Sequence, residues 1–288
     1  MTGGYRALAD AAAWVVLDRE AVRVAGPEAE AYLQGQVSQD VGALAVGASA
    51  WTLVLQPQGR VDVWGRVTRL AGDEFVLDTD GGWGDALEAR LLRFKLRVKA
   101  DVDRLPWVCV AVRGPAAAPL AEPGAVTARA AWPLVGGWDL LGPSAPPVNG
   151  VPPATADDYE VRRIEAGFPR MGAELTERTI PEEAGIVAVS ASFTKGCYTG
   201  QELVARIDSR GGHVPHRLRR VTLPAGSPVP AAGAEVEVGG RPRGTITSAA
   251  RHPEGRVVAL AYLARDVAPP VTGECEGAPA TVEALPSE

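Results

Sequence analysis

Within the run Ser192-Phe193-Thr194-Lys195-Gly196-Cys197-Tyr198-Thr199-Gly200-Gln201-Glu202-Leu203-Val204-Ala205-Arg206, an amine, a thiol, a phenol and a carboxylate fall close together. Thr199 and Glu202 have the Thr-x-x-Glu spacing of a capping box, in which each side chain satisfies an orphan backbone N–H. A helix is therefore expected to begin there and run through Arg206. Cys197 would then stand just outside a helix N-terminus. The partial positive charge of that terminus, with Lys195 two residues away, favours the thiolate, the form that acts as nucleophile or metal ligand. Gly196 and Gly200 allow close backbone approach to a ligand or positive φ. The same residue types also fit a buried, inert cysteine beside an ordinary capped helix, because free cysteine is among the most buried residue types. The stretch alone leaves both readings open.

Two further segments carry polar groups in a pattern. Arg162-Arg163-Ile164-Glu165-Ala166-Gly167 closes a helix that Thr155 and Asp158 open with the acidic variant of the capping-box spacing, Gly167 being placed as the C-terminal glycine. Gln34-Gly35-Gln36-Val37-Ser38-Gln39-Asp40 reads as a helix exit and turn. No glycine-rich nucleotide loop and no Ser/His/Asp ordering is present. His213 and His216 read as structural or solvated.

The chain has 288 residues, 46% of them hydrophobic, which suits about two domains with sizeable cores. Its net charge of −6 provides no global attraction to nucleic acid or an anionic membrane, so neither is expected as a partner, and any polyanion contact must be local. No apolar run approaches the ~20 residues needed to span a bilayer. The N-terminus, with Tyr5, Asp10 and Asp18, lacks the layout of a signal peptide, so a cytoplasmic address is expected. Cys109, Cys197 and Cys275 are far apart, which argues against a disulfide framework or a self-contained zinc or iron–sulfur site, and no metal ligands are assigned.

The elements that must position these groups follow from periodicity. Trp14 to Leu17 and Val22 to Val24 are expected as strands separated by Asp18-Arg19-Glu20, and Glu28 to Gln34 as a short helix. Ala48 to Leu55 and Val61 to Arg69 predict a hairpin around Pro57-Gln58-Gly59-Arg60. Phe75 to Leu77 predicts a strand and Asp85 to Leu92 a helix. From Leu92 to Lys99 apolar and basic residues alternate, predicting a strand with four cations on one face, which is solvated or grips an anionic tail such as a polyglutamate. Trp107 to Val112 is a strand with Cys109 in its core, and weaker strands fall at Val126 to Ala130 and Gly137 to Leu141. Beyond Gly212 short β segments at Leu218 to Leu223, Ala234 to Val238, Arg243 to Ser248 and Val257 to Leu263 predict a small barrel or sandwich. The residues from Gly273 onward are expected to be loosely held.

The Lys195-Gly196-Cys197-Tyr198-x-Gly200-Gln201-Glu202 run resembles the signature of the YgfZ-type folate-binding proteins, relatives of the glycine-cleavage aminomethyltransferase. Gln34-Gly35-Gln36-x-Ser38-Gln39-Asp40 is similar to the same family, where it borders the ligand cavity. Arg163-Ile164-Glu165-Ala166-Gly167 resembles the Arg-x-Glu-Ala-Gly segment of the superfamily. The resemblance covers Val24 to about Leu263. It implies an α+β fold of two interwoven modules forming a folate-binding region, residues 1–212, followed by a C-terminal β-barrel, residues 213–288. It implies a tetrahydrofolate-binding accessory protein for iron–sulfur cluster assembly or repair, with iron–sulfur enzymes, including a tRNA-modifying one, or assembly proteins as partners. Cys197 and Lys195 would be the reactive groups. Glu165 would anchor the pterin, its two acceptor oxygens matching the paired N–H donors of an aminopyrimidine. Arg162, Gln36, Gln39, Asp40, Tyr198, Gln201 and Glu202 would support the ligand. In aminomethyltransferases the loop after this hairpin turn carries paired aspartates, one the essential acid. Here Gly59-Arg60-Val61-Asp62-Val63-Trp64 offers Asp62 alone, which speaks against the alternative, a true glycine-cleavage aminomethyltransferase.

Overall fold

Alternating apolar residues set up most of the strands, and glycine or proline turns separate them. The computed structural model describes residues 3–286. A helix that no sequence signal announced, α1 (Gly3–Asp10), opens the chain and buries Tyr5 and Leu8. Next come β1 (Ala13–Leu17) and β2 (Arg19–Ala25), so Arg19 and Glu20 belong to the second strand and not to a connection. α2 (Ala29–Gln36) continues past Gln34. β3 (Ser49–Leu55) and β4 (Val61–Ala71) form the expected hairpin, pairing from Ser49 opposite Thr68 to Leu55 opposite Val61, and β5 (Glu74–Asp80) lies on the far side of β4.

α3 (Gly84–Phe94) overturns the strand expected over Leu92 to Lys99. Leu87 and Leu91 face the core on a helical period, which carries the helix through Phe94. The residues beyond are irregular, with Arg97 at φ 60°. Their cations therefore share no strand face, and Leu96 stands 83% exposed.

β6 (Asp101–Leu105), β7 (Val108–Arg113), β8 (Val126–Ala130) and β9 (Gly137–Gly142) follow. The first sheet has the order β3-β4-β5-β2-β6 and the second the order β1-β7-β9-β8. The chain thus starts in the second sheet, builds the first and returns, which interweaves the two modules. α2 and α3 cover one face of the first sheet around Val24, Leu33, Phe75 and Leu91. Leu53, Leu55 and Trp64 on its other face pack with Phe168, Ile186 and Val204. Burying a side chain of this size contributes roughly 1.5–3 kcal/mol.

α4 (Ala156–Glu165) starts at the predicted capping box: Thr155 Oγ1 accepts from the Asp158 N–H at 3.1 Å, and the Asp158 carboxylate accepts from the Thr155 N–H at 3.1 Å. Gly167, at φ 65°, takes the left-handed position beyond its end. After α5 (Val187–Ser190) comes α6 (Gln201–Ser209). The capping box expected at Thr199 and Glu202 does not form. The helix begins one turn-residue later, behind Gly200 at φ 82°, and Gln201 Oε1 accepts from the Tyr198 N–H at 3.3 Å. Packing imposes this start, since a Cβ on Gly200 would come within 2.4 Å of the Gln56 carbonyl oxygen and 2.7 Å of Leu55 Cβ.

The C-terminal strands are β10 (His216–Leu223), β11 (Glu235–Val238), β12 (Arg241–Arg251), β13 (Val257–Ala264), β14 (Val271–Cys275) and β15 (Ala278–Glu283), closed into a barrel in the order β10-β13-β12-β11-β14-β15. The segment from Gly273 is therefore not loosely held. β14 pairs with β11 and β15 with β10, and these pairings close the barrel. Its inward side chains, Cys275, Ala280 and Val282, are too small and too few to signal a strand by composition.

Candidate functional site

Charged residues stand inside otherwise apolar strands at five buried positions, and they form one chain of ion pairs. Arg19 Nε lies 2.5 Å from Asp78 Oδ1, Arg66 Nη2 lies 2.9 Å from the same oxygen, and Arg66 Nη1 lies 2.5 Å from Asp139 Oδ2. Arg113 Nη2 closes the chain at 2.5 Å from Asp139 Oδ1. The chain joins β2, β4 and β5 of the first sheet to β7 and β9 of the second. Burial works against the ionised Asp139, but Arg113 and Arg66 outweigh it and hold the carboxyl down at about 2. Cys109 beside them is 1% exposed, and burial pushes its thiol well above the usual range.

This seam forms part of the wall of a cavity of 720 Å³ between the two sheets, α4 and the segment from Phe168 to Ala173. Volumes of ~300–1,000 Å³ suit small-molecule ligands. Trp51 and Phe168 give the cavity an aromatic side, their ring centroids 5.6 Å apart, and Trp64 stacks behind Trp51 at 4.3 Å with 13° between planes. Trp51 Nε1 is buried and has no hydrogen-bond partner among the described residues. A buried indole N–H without an acceptor costs free energy that a ligand acceptor would recover. Arg19, Arg163 and Arg170 line the same space with Asp80, Asp157 and Glu160, so both charge signs are available to a ligand.

The residues singled out from sequence fall elsewhere, in two groups. Glu165 belongs to a knot at the junction of α1, α4 and the barrel and does not line the cavity. Its Oε2 accepts from Tyr5 Oη and Arg162 Nη1, both at 2.9 Å, and its Oε1 accepts from Arg256 Nη2 at 2.8 Å. His252 Nε2 lies 2.7 Å from Tyr5 Oη, while His252 Nδ1 accepts from the Glu254 N–H at 3.1 Å. The tautomer protonated at Nε2 satisfies both contacts. Arg162 spans from Glu165 to the Leu134 carbonyl at 3.1 Å. Glu165 is thus 7% exposed with both oxygens engaged, and pterin anchoring would require it to exchange these partners.

The second group ties the Cys197 segment to the loop after α2. Lys195 Nζ donates to the carbonyls of Gln34, Val37 and Gln39 at 2.8, 2.7 and 2.9 Å, and burial pushes its pKa down to about 8. The Gln39 side chain donates to the Trp51 carbonyl, Gln36 accepts from Arg90, and Asp40 accepts from Gln34. Tyr198 is 9% exposed within the core, and Glu202 is exposed. Cys197 is exposed. None of the residues from Ser192 to Arg206 lines the large cavity, so the thiol does not stand beside it. Asp62 pairs with Arg90 Nε at 3.2 Å, burial raises its pKa, and it too lies outside the cavity wall.

No family model matches the chain. A Haemophilus influenzae protein without a described function is 30% identical over 200 residues, covering 67% of each chain. The tRNA-modifying protein YgfZ of Yersinia pestis is 43% identical over 112 residues, covering 36% of this chain and 33% of that one. The glycine cleavage system aminomethyltransferase T from Bartonella henselae superposes with a TM-score of 0.82 at 19% identity, over 98% of this chain and 88% of that one. The chain belongs with the YgfZ-type proteins and has the fold of the aminomethyltransferase. The match to the Yersinia YgfZ spans about a third of that relative's length, and the aminomethyltransferase likeness concerns the fold. Among the described residues no helix is long and apolar enough to cross a membrane.

The cavity residues were not legible as a site because their segments, Val15 to Arg19, α4 and Phe168 to Ala173 among them, are far apart in sequence and meet only in the fold. Arg19, Arg66, Asp78 and Asp139 did carry a signal, a charge inside an apolar strand, which marks a buried partner.

Proposed function

We propose that this YgfZ-type protein binds tetrahydrofolate or a derivative in the central cavity and, in the cytoplasm, supports iron–sulfur enzymes or their assembly proteins, a tRNA-modifying enzyme among them. The observation that supports it is the cavity itself. A space of 720 Å³ with Trp51 and Phe168 on one side suits a planar ring, and the unpartnered Trp51 N–H offers that ring a donor. Arg170, half-exposed at the cavity, suits the carboxylates of a glutamate tail. When bound, a reduced folate supplies one-carbon chemistry. The protein's own residues hold the ring, exclude water and fix its orientation.

Cys197 takes a different part in this reading. Exposed and outside the cavity wall, it is the thiol offered to a protein partner, and Lys195 positions its segment against the loop after α2. Asp62, the lone acid after the hairpin turn, pairs with Arg90 outside the cavity wall, which speaks against a glycine-cleavage transferase. Incubation with the glycine-cleavage carrier protein and tetrahydrofolate is expected to show no turnover, and robust turnover would overturn this assignment. Deleting the protein in its native host is expected to lower the activity of an iron–sulfur tRNA-modifying enzyme, restored by the wild type and not by Cys197→Ser. Unchanged activity in the deletion would remove the partner claim.

A further inference from the structure

The second sheet has a cavity on each side. Along β9, Asp139 faces the ion chain and the central cavity, so Trp138, one residue earlier, faces the opposite way. There it borders a separate cavity of 560 Å³, lined also by Arg129, Trp132, Leu134 and Arg162 and floored by Gly114, Gly136 and Gly137. Among the described residues no carboxylate lines this second cavity, although the chain carries a net charge of −6 and the central cavity is bordered by Asp80, Asp139, Asp157 and Glu160.

Register brings the key pair together. Arg129 of β8 lies directly opposite Trp138 of β9, and side chains opposite one another in an antiparallel pair stand roughly 4.5–5.5 Å apart at Cβ on the same face. Arg129 is exposed, and its side chain makes no hydrogen bond or ion pair among the described residues. Trp132 is a fixed platform: its Nε1 donates to the Ala166 carbonyl at 3.0 Å, and its ring meets Phe168 edge-on at 4.9 Å. Arg162 is held by Glu165 and the Leu134 carbonyl, and its Nε is buried without a partner. Two indoles, the unpaired guanidinium of Arg129 and the guanidinium of Arg162, which Glu165 already engages on one side, are groups that recognise a flat ring carrying negative charge.

We propose that this cavity is a second binding site, distinct from the folate cavity, for a planar aromatic anion of the nucleoside monophosphate class. The indoles of Trp132 and Trp138 take the ring, and Arg129 with Arg162 takes the phosphate. Arg129, Trp132 and Trp138 have no part in the folate reading, and Arg162, which the family resemblance assigned to folate, lines this cavity and not the central one, so either proposal can fail without the other.

Calorimetric titration with AMP, adenosine and ribose 5-phosphate tests it. AMP is expected to bind, and adenosine and ribose 5-phosphate to bind at least about tenfold more weakly, because each lacks one half of the recognised group. Arg129→Gln and Trp138→Leu are each expected to weaken AMP by at least about tenfold while leaving the melting temperature and tetrahydrofolate binding unchanged. A 5′-phosphorylated trinucleotide binding more tightly than AMP assigns the site to the end of a strand; equal affinity assigns it to the free nucleotide. Absence of AMP binding at millimolar concentration, or binding that neither variant weakens, would overturn the proposal.

Discussion

The amine of Lys195 bridges the carbonyls of Gln34, Val37 and Gln39 and so ties its own segment to the loop after α2. Lys195→Met should therefore destabilise the protein by about 1–3 kcal/mol at neutral pH, measured by urea unfolding. The pH dependence has a defined sign. The folded chain releases this proton at about 8 and the unfolded chain near 10.5, so between those values the unfolded state binds more protons and the group's contribution to stability rises with pH. The stability difference between wild type and Lys195→Met should grow over that window, and a flat or falling difference would show that burial does not govern the amine. Cys197 is exposed while Cys109 and Cys275 are each 1% exposed, so alkylation of the native protein followed by mass spectrometry should modify Cys197 first. Labelling of Cys109 at the same rate would contradict this placement. At this scale the sequence singled out Lys195 for its charge, but its three carbonyl partners were not legible, because they lie in a loop far away in sequence.

At the scale of elements, local signals succeeded where local chemistry decides and failed where packing does. The Thr155 capping box was legible because all its partners lie within one turn. Thr155→Ala should cost about 1 kcal/mol, read from thermal or denaturant unfolding. The same spacing at Thr199 and Glu202 misled, because Gly200 sits against Leu55 and Gln56 of the hairpin and resets the helix start. Gly200→Ala should destabilise by at least about 2 kcal/mol, since its φ and its neighbours both exclude a Cβ. A loss below half that would mean the hairpin gives way easily. The alternation over Leu92 to Lys99 misled for a related reason: a two-residue pattern that starts inside a helix predicts nothing once Leu87 and Leu91 have committed to the core.

Across the whole molecule, the ion chain from Arg19 to Arg113 is what couples the two sheets that enclose the cavity. Arg66, 1% exposed, pairs with Asp78 in its own sheet and Asp139 in the other. Arg66→Met leaves both carboxylates buried with one partner fewer and should cost about 3–5 kcal/mol in denaturant unfolding, with the cavity between the sheets distorted. Strand rhythm pointed to a small barrel or sandwich at the C-terminus, and the family resemblance implied the α+β fold that the structure shows. The cavity was not legible, because it exists only where segments distant in sequence meet. The account's central claim, that a reduced folate occupies that cavity, is tested most directly by calorimetric titration of tetrahydrofolate into the wild type and Trp51→Phe, which keeps the aromatic wall and removes the unpartnered N–H. The account predicts binding by the wild type and binding weakened about tenfold by Trp51→Phe. No binding by the wild type, or equal binding by the two, would contradict it.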